Sequence, residues 1–244
     1  MLSVADFPGW FTRHRKPDYR VAFSRTSCAR GCRRTRWISD LIRPSLFLRA
    51  CQHRPPITYK MTVTDPEQYP LQPTANVPNN TLPALVYRNV LPTPHNSDSA
   101  TQLCEGNSWE KRGEWGAITV AHFHPNTHEC YAIIQGESRL VLGRPKPSDK
   151  EEPVGGVEFD VSPGDVVVVP AGVSHRSLTS SGGYRYIGVY PRTNPKWRNN
   201  YCKGEEPLED LKKEIANVEM PEADPVYGID GPLVRIWKAA RDAR

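Results

Sequence analysis

The 244 residues contain no apolar run approaching the roughly 20 positions a membrane helix needs. They also lack the charged-then-apolar opening of a secretory leader. Cysteine is thin: Cys28, Cys32, Cys51, Cys104, Cys130 and Cys202 make no close framework, which fits a reducing compartment. Acidic residues are scarce at one end only. Residues 1–60 hold 13 of the 32 Lys and Arg against Asp6, Asp18 and Asp40, leaving 19 basic and 24 acidic residues from 61 onward. The net charge of +5 therefore belongs to the first 60 residues, and the rest is mildly acidic. That balance, with no DNA-reading helix pair, argues against a nucleic-acid partner. A membrane partner is not expected either.

Proline is abundant, 24 in all, and with 38% hydrophobic content it points to a β-rich, turn-rich core with irregular flanks. Residues 1–60, basic and rich in Ser and Thr, read as a disordered extension, or as sequence ahead of a true start at Met61. A mitochondrial transit peptide competes with that reading, with Trp37–Arg43 as a short amphipathic helix. So does a nucleic-acid arm. Zinc on Cys28, Cys32, Cys51 and His53 would need a spacing that fits no common finger. The expected location is cytoplasmic, or mitochondrial if the segment is a transit peptide. Residues 61–81 are a proline-rich lead-in, and 82–192 form the main domain. Residues 193–244 are a C-terminal loop and helical tail.

Within that domain, strands are expected at 85–90, 129–134, 137–143, 157–161, 166–169 and 184–190. Val166 to Val169 is β-branched throughout, as in a strand buried on both faces. A short helix over 99–105 has Ser97 or Asp98 as its N-cap. Trp109 and Trp115 flank a charged turn, and core packing is the first expectation for both. Either Tyr184, Tyr186 and Tyr190 or the opposite set faces the interior. Leu208, Leu211 and Ile215 recur at helical spacing within 207–217, and a terminal helix follows near 233–240.

The chemistry gathers in Gly116–Gly136 and Gly164–His175. On a strand, alternate side chains share a face, so His122 and His124 project together. Pro125-Asn126-Thr127 reads as a turn, and the returning strand could bring Glu129 to the same face. His175 can complete the set if the two stretches are neighbours. Three neutral imidazoles and a carboxylate suit a divalent transition metal: Fe, Mn, Ni, Cu or Zn. His128 has two open readings. On a regular strand it faces away from Glu129; carried to the cavity mouth by the turn, it is a candidate catalytic proton shuttle. Cys130, opposite Glu129, reads as a small apolar filler. Asp165 reads as a turn-stabilising carboxylate.

These two stretches resemble the paired motifs of the cupin superfamily: G-x5-H-x-H-x4-E-x6-G from Gly116 to Gly136, then G-x5-P-x-G-x2-H from Gly164 to His175. The usual Asn four residues after the second-motif His is Thr179 here. Asn107-Ser108-Trp109, Tyr190-Pro191 and Asp224-Pro225-Val226-Tyr227-Gly228 add a likeness to the YjlB-like cupins, a group without an assigned reaction. The resemblance spans residues 82 to 240. It implies an all-β fold, the double-stranded β-helix or jelly-roll barrel, with short C-terminal helices. It also implies one metal on His122, His124, Glu129 and His175. The motif pair occurs once, so one barrel is expected. Its tail would pack on the barrel or at a subunit interface, which leaves a homodimer open. The expected function is a metal-dependent enzyme, an oxygenase or isomerase acting on a small polar molecule. The alternative is a non-catalytic module that binds or senses a small ligand.

Overall fold

A computed structural model describes residues 62–145 and 156–243. The expectations for residues 1–60, and for most of the loop over 144–156, lie outside the described residues. Seven strands form one antiparallel sheet: β1 (Glu67–Tyr69), β2 (Ala84–Tyr87), β3 (Trp109–Trp115), β4 (Glu129–Leu142), β5 (Val157–Val161), β6 (Val166–Val169) and β7 (His175–Pro191). The order is β1-β2-β6-β4-β7-β3, with β5 paired to β4 beside this path. Among the described residues, three helices accompany it: α1 (Ser97–Gly106), α2 (Leu208–Ala216) and α3 (Pro232–Asp242).

The long partners β4 and β7 run antiparallel from Cys130↔Val189 to Leu142↔His175. The first half of β4 also pairs with β6, and the second half with β5. One strand thereby serves both halves of the sheet, where two strands were expected. The bend falls at Gly136, whose φ is +62°. A Cβ there would lie 2.4 Å from the Ser181 carbonyl, so no other residue fits.

Period-two alternation then divides the side chains between two cores. Val167 and Val169 join Ala84, Val86, Tyr131, Ile133, Tyr184 and Tyr186 on one face. Val166 and Val168 join Leu85, Tyr87, Cys130, Trp109 and Trp237 on the other. The valine strand is buried on both faces, as its composition requires. Cys130 is a fully buried filler on the face opposite Glu129.

The tail seals the second face. Leu233, Ile236 and Trp237 of α3 pack there, and the Trp237 indole N–H donates to the Pro83 carbonyl at 2.9 Å. Asp224, fully buried, anchors the approach to α3. Its carboxylate accepts from Tyr87 Oη (2.5 Å) and from the amides of Val226 (2.8 Å), Tyr227 (3.1 Å) and Leu233 (3.0 Å). α2 places Leu211 and Ile215 against Val77, Phe123 and Ala171 in a third cluster.

Three local expectations need correction. Helix α1 begins two residues before the expected span because Asn96 is the N-cap, in a reciprocal capping box with Ser99. The charged stretch between Trp109 and Trp115 is strand β3, not a turn; its polar side chains fit an outer strand with one bulge at Lys111/Gly113. Residues 116–128 are not a regular strand, and only His122 and Phe123 bridge to neighbours. Among the described residues, no helix is long and apolar enough to cross a membrane.

Candidate metal centre

His122 and His124 share a side even without a full strand between them. The backbone of His122 exchanges hydrogen bonds with His175 (3.3 and 2.9 Å), and Phe123 does the same with Asn200 (both 2.9 Å). Phe123 turns into the third core cluster, so its two neighbours face the other way. The bridge also sets the His122 and His175 rings side by side, with centroids 4.4 Å apart. Pro125–Thr127 turns the chain as expected. Thr127 Oγ1 and the His128 amide both approach the Asn194 side chain, which fixes the entry into β4 at Glu129.

Each of the three rings points its Nδ1 at a backbone carbonyl: His122 at Val120 (2.9 Å), His124 at Arg198 (3.1 Å) and His175 at Val173 (3.0 Å). A carbonyl can only accept, so each Nδ1 carries a proton, which leaves Nε2 as the nitrogen each ring would turn to a metal. The three rings offer ligand atoms that all lie within 4.8 Å of one another, and all three residues are buried.

Glu129 lies outside that mutually close trio but touches two of its members. Its Oε2 is 2.9 Å from His124 Nε2 and 3.2 Å from His175 Nε2. His175 Nε2 is nevertheless without a hydrogen-bond partner, because the approach to Glu129 is misaligned. The other carboxylate oxygen, Oε1, accepts from Tyr190 Oη at 2.5 Å. A buried carboxylate facing two imidazole nitrogens, one of them unpartnered, needs a positive charge among them. A divalent ion meets that need, so the donor set fits one.

Protonation in the metal-free protein follows the same logic. Burial pulls His124 down, but the charge and hydrogen bond of Glu129 outweigh it and hold the imidazole above its ordinary pKa. Burial pushes Glu129 up, yet His124 and His175 more than offset it, and the carboxyl stands well below the usual range. His122 falls to about 3, through burial first and then the neighbouring His175.

Of the two readings left open for His128, the structure follows strand alternation. It lies on the opposite face from Glu129, with its ring centroid 4.7 Å from that of Trp237. Its Nδ1 accepts the Ala171 amide at 3.0 Å. Complete burial lowers its pKa to about 3. The ring packs on Trp237 and is not among the residues lining the cavity that His122, His124 and Glu129 face. Asp165 is a turn latch, accepting from the amides of Asn89 (2.9 Å) and Ser162 (3.2 Å) and from Arg88 (3.0 Å). Thr179 is exposed and contributes only its carbonyl, to Ser138 Oγ.

Beside the imidazoles lies a cavity of about 250 Å³. Trp115, Tyr186, Tyr190 and Trp197 supply its aromatic walls, with Ile118 and Asn199 completing them. The tyrosines are those of the Tyr184/Tyr186/Tyr190 set, so their parity is settled. Trp115 packs half-buried against the core face that holds Tyr186 while also lining this cavity, and Trp109 is fully in the core with its indole N–H on the Ala223 carbonyl (2.8 Å). Sequence reasoning also missed the segment after Pro191. Asn194, Trp197, the Arg198 carbonyl and Asn199 all come from it. The aromatic Trp197 amid polar neighbours was the available signal.

The family model described as Cupin matches residues 87–182. The uncharacterised protein YjlB of Bacillus subtilis (strain 168) is 29% identical over 162 residues, covering 66% of this chain and 90% of that protein. Among solved structures, RmlC from Streptococcus suis, in complex with dTDP-D-xylose, is 9% identical with a TM-score of 0.31. That match covers 72% of this chain and 96% of RmlC. Procruciferin, the 11S globulin of Brassica napus, is 15% identical with a TM-score of 0.30, covering 62% of this chain and 39% of its own.

Proposed function

From the premise that the chain is a single-barrel, YjlB-like cupin, we propose that His122, His124, Glu129 and His175 hold one divalent transition metal and that the protein oxygenates a small molecule there. One observation carries the proposal: three buried rings whose Nδ1 atoms face backbone carbonyls bring ligand atoms within 4.8 Å of one another, and two of them meet a buried carboxylate. Bound there, the ion would supply Lewis acidity and, if redox-active, electrons for O₂.

The chain's own residues position and enclose. Val120, Val173 and Arg198 carbonyls orient the rings. Tyr190 occupies Glu129 Oε1 and leaves Oε2 facing the imidazoles. The aromatic walls restrict water. Isomerisation would need a residue that takes up and returns a proton. Apart from the proposed ligands, the cavity is lined by Trp115, Ile118, Tyr186, Tyr190, Trp197 and Asn199. Burial, first of all, drives both tyrosine pKa values far upward, and His128 is on the other face. This lining favours oxygenation over isomerisation.

Protein loaded with Fe(II) and offered a panel of small oxygen-bearing compounds should consume O₂ in step with substrate loss, and Glu129→Ala should not. Product formed under argon would overturn the oxygenase reading. The same poverty of acid–base groups favours one other reading, a module that binds its ligand without turnover. Saturable ligand binding with no O₂ consumption across Fe, Mn, Ni and Cu would establish it.

A further inference from the structure

The geometry points to a ligand class: we infer that the cavity beside His122, His124 and Glu129 takes a flat, single-ring molecule with two adjacent oxygen donors and at most one negative charge. The inference rests on the metal reading above and deepens it. Shape comes first. Trp115 and Trp197 meet edge to face with centroids 5.8 Å apart and an interplanar angle of 88°. Tyr186 tilts against Trp115 at 5.9 Å, and Tyr190 stacks on Trp197 at 5.1 Å and 11°. Such walls favour the faces and edges of another ring. The cavity's 250 Å³ lies below the roughly 300–1,000 Å³ typical of drug-sized ligands, which limits the occupant to a small molecule.

The slot is built into the sheet. Gly113 and Gly188 are cross-strand partners on β3 and β7. A Cβ on Gly113 would lie 2.2 Å from Trp115 Cζ2, and one on Gly188 would lie 2.1 Å from its Cζ3. The glycine pair is the shelf on which the indole lies, so the wall is positioned before any ligand arrives.

Charge narrows the class. Among the described residues, no Lys or Arg lines the cavity, although Lys196 Nζ lies 5.6 Å from the centroid of the Trp197 wall ring. Arg112, over the Tyr190 ring at 5.2 Å, spends its guanidinium on the carbonyls of Asn194 and Pro195 and on Glu110. A divalent ion and the Glu129 carboxylate leave one positive charge. A chelating monoanion neutralises it, whereas a dicarboxylate or phosphate ester would bring surplus negative charge that no lining cation meets. Two adjacent oxygens would let such a ring chelate an ion held by the imidazoles and Glu129 while its body stays in the slot.

The test titrates full-length Zn(II)-loaded protein with 4-nitrocatechol, oxalate and glucose 6-phosphate by calorimetry, with zinc counted in each sample. The singly ionised nitrocatechol should bind at least tenfold tighter than either comparator. Trp115→Ala should lose at least fivefold in nitrocatechol affinity with zinc content unchanged, and Gly188→Ala should lose affinity in the same direction. Zinc-loaded wild type that binds oxalate or the phosphate ester as tightly would overturn this inference and leave the metal reading standing. Protein that takes up no zinc would overturn the metal reading and the inference with it. The wild-type comparison decides the matter even if a variant fails to fold.

Discussion

Replacing Gly188 with alanine tests whether the site's aromatic wall depends on the sheet beneath it. The new Cβ would stand 2.1 Å from Trp115 Cζ3, where ordinary contact begins at 3.4 Å, so the indole or the strand must yield by 1.3 Å. Overpacking of this kind costs about 1–3 kcal/mol. Exchanging glycine for alanine within a strand returns about 0.5–1 kcal/mol of backbone entropy. The net loss should be about 1 kcal/mol in urea unfolding, accompanied by a change in tryptophan fluorescence. A double-mutant cycle isolates the cause. With Trp115→Ala already present, the obstacle is gone, and Gly188→Ala should cost nothing or stabilise by about 0.5–1 kcal/mol. An equal cost with and without the indole would refute the reasoning.

Further predictions concern the other face and its tail. His128 has a pKa near 3 when buried and near 6.5 when unfolded, so the unfolded chain alone takes its proton as pH falls between those values. Its depressed folded value means stability is present above 6.5 and lost towards 3. At pH 5 the loss is about 2 kcal/mol, at 1.36 kcal/mol per unit. His128→Gln should remove that share of the difference between pH 7.5 and pH 5 in urea unfolding of metal-free protein; an unchanged difference would contradict it. Asp224→Ala strands the Tyr87 hydroxyl and the buried amides of Val226 and Leu233, at about 1–3 kcal/mol each before relaxation, and frees the part-buried Tyr227 amide. It should destabilise by at least about 3 kcal/mol in urea, more than Asp224→Asn, which keeps one acceptor oxygen; equal losses for both would count against the carboxylate as the anchor of the tail.

Much of the barrel was legible because alternation is a local property. The β-branched run at Val166–Val169 could satisfy its burial in few ways, and β5 occupies its expected span. The histidines were legible for the same reason, since His122 and His124 keep a common side around Phe123 even where no ladder forms. What stayed hidden is non-local. Nothing near Glu110–Glu114 reveals that a charged stretch will pair with β7. No pattern ties Tyr190 Oη to Glu129 before the strands are assembled. The role of Gly113 and Gly188 exists only as a pair across two strands. His128 shows the limit from the other side: the alternation rule placed it correctly, while its proximity in sequence to His124 and Glu129 suggested a place in their cavity that the ring does not take.

The central claim is that three imidazoles and a carboxylate hold one ion. Elemental analysis of purified full-length protein after loading and dialysis measures it directly, beside His122→Ala/His124→Ala with its fold checked by circular dichroism. The account predicts one divalent transition metal per wild-type chain and none in the folded variant. A wild type that binds no ion, or a variant that retains it, would contradict the account.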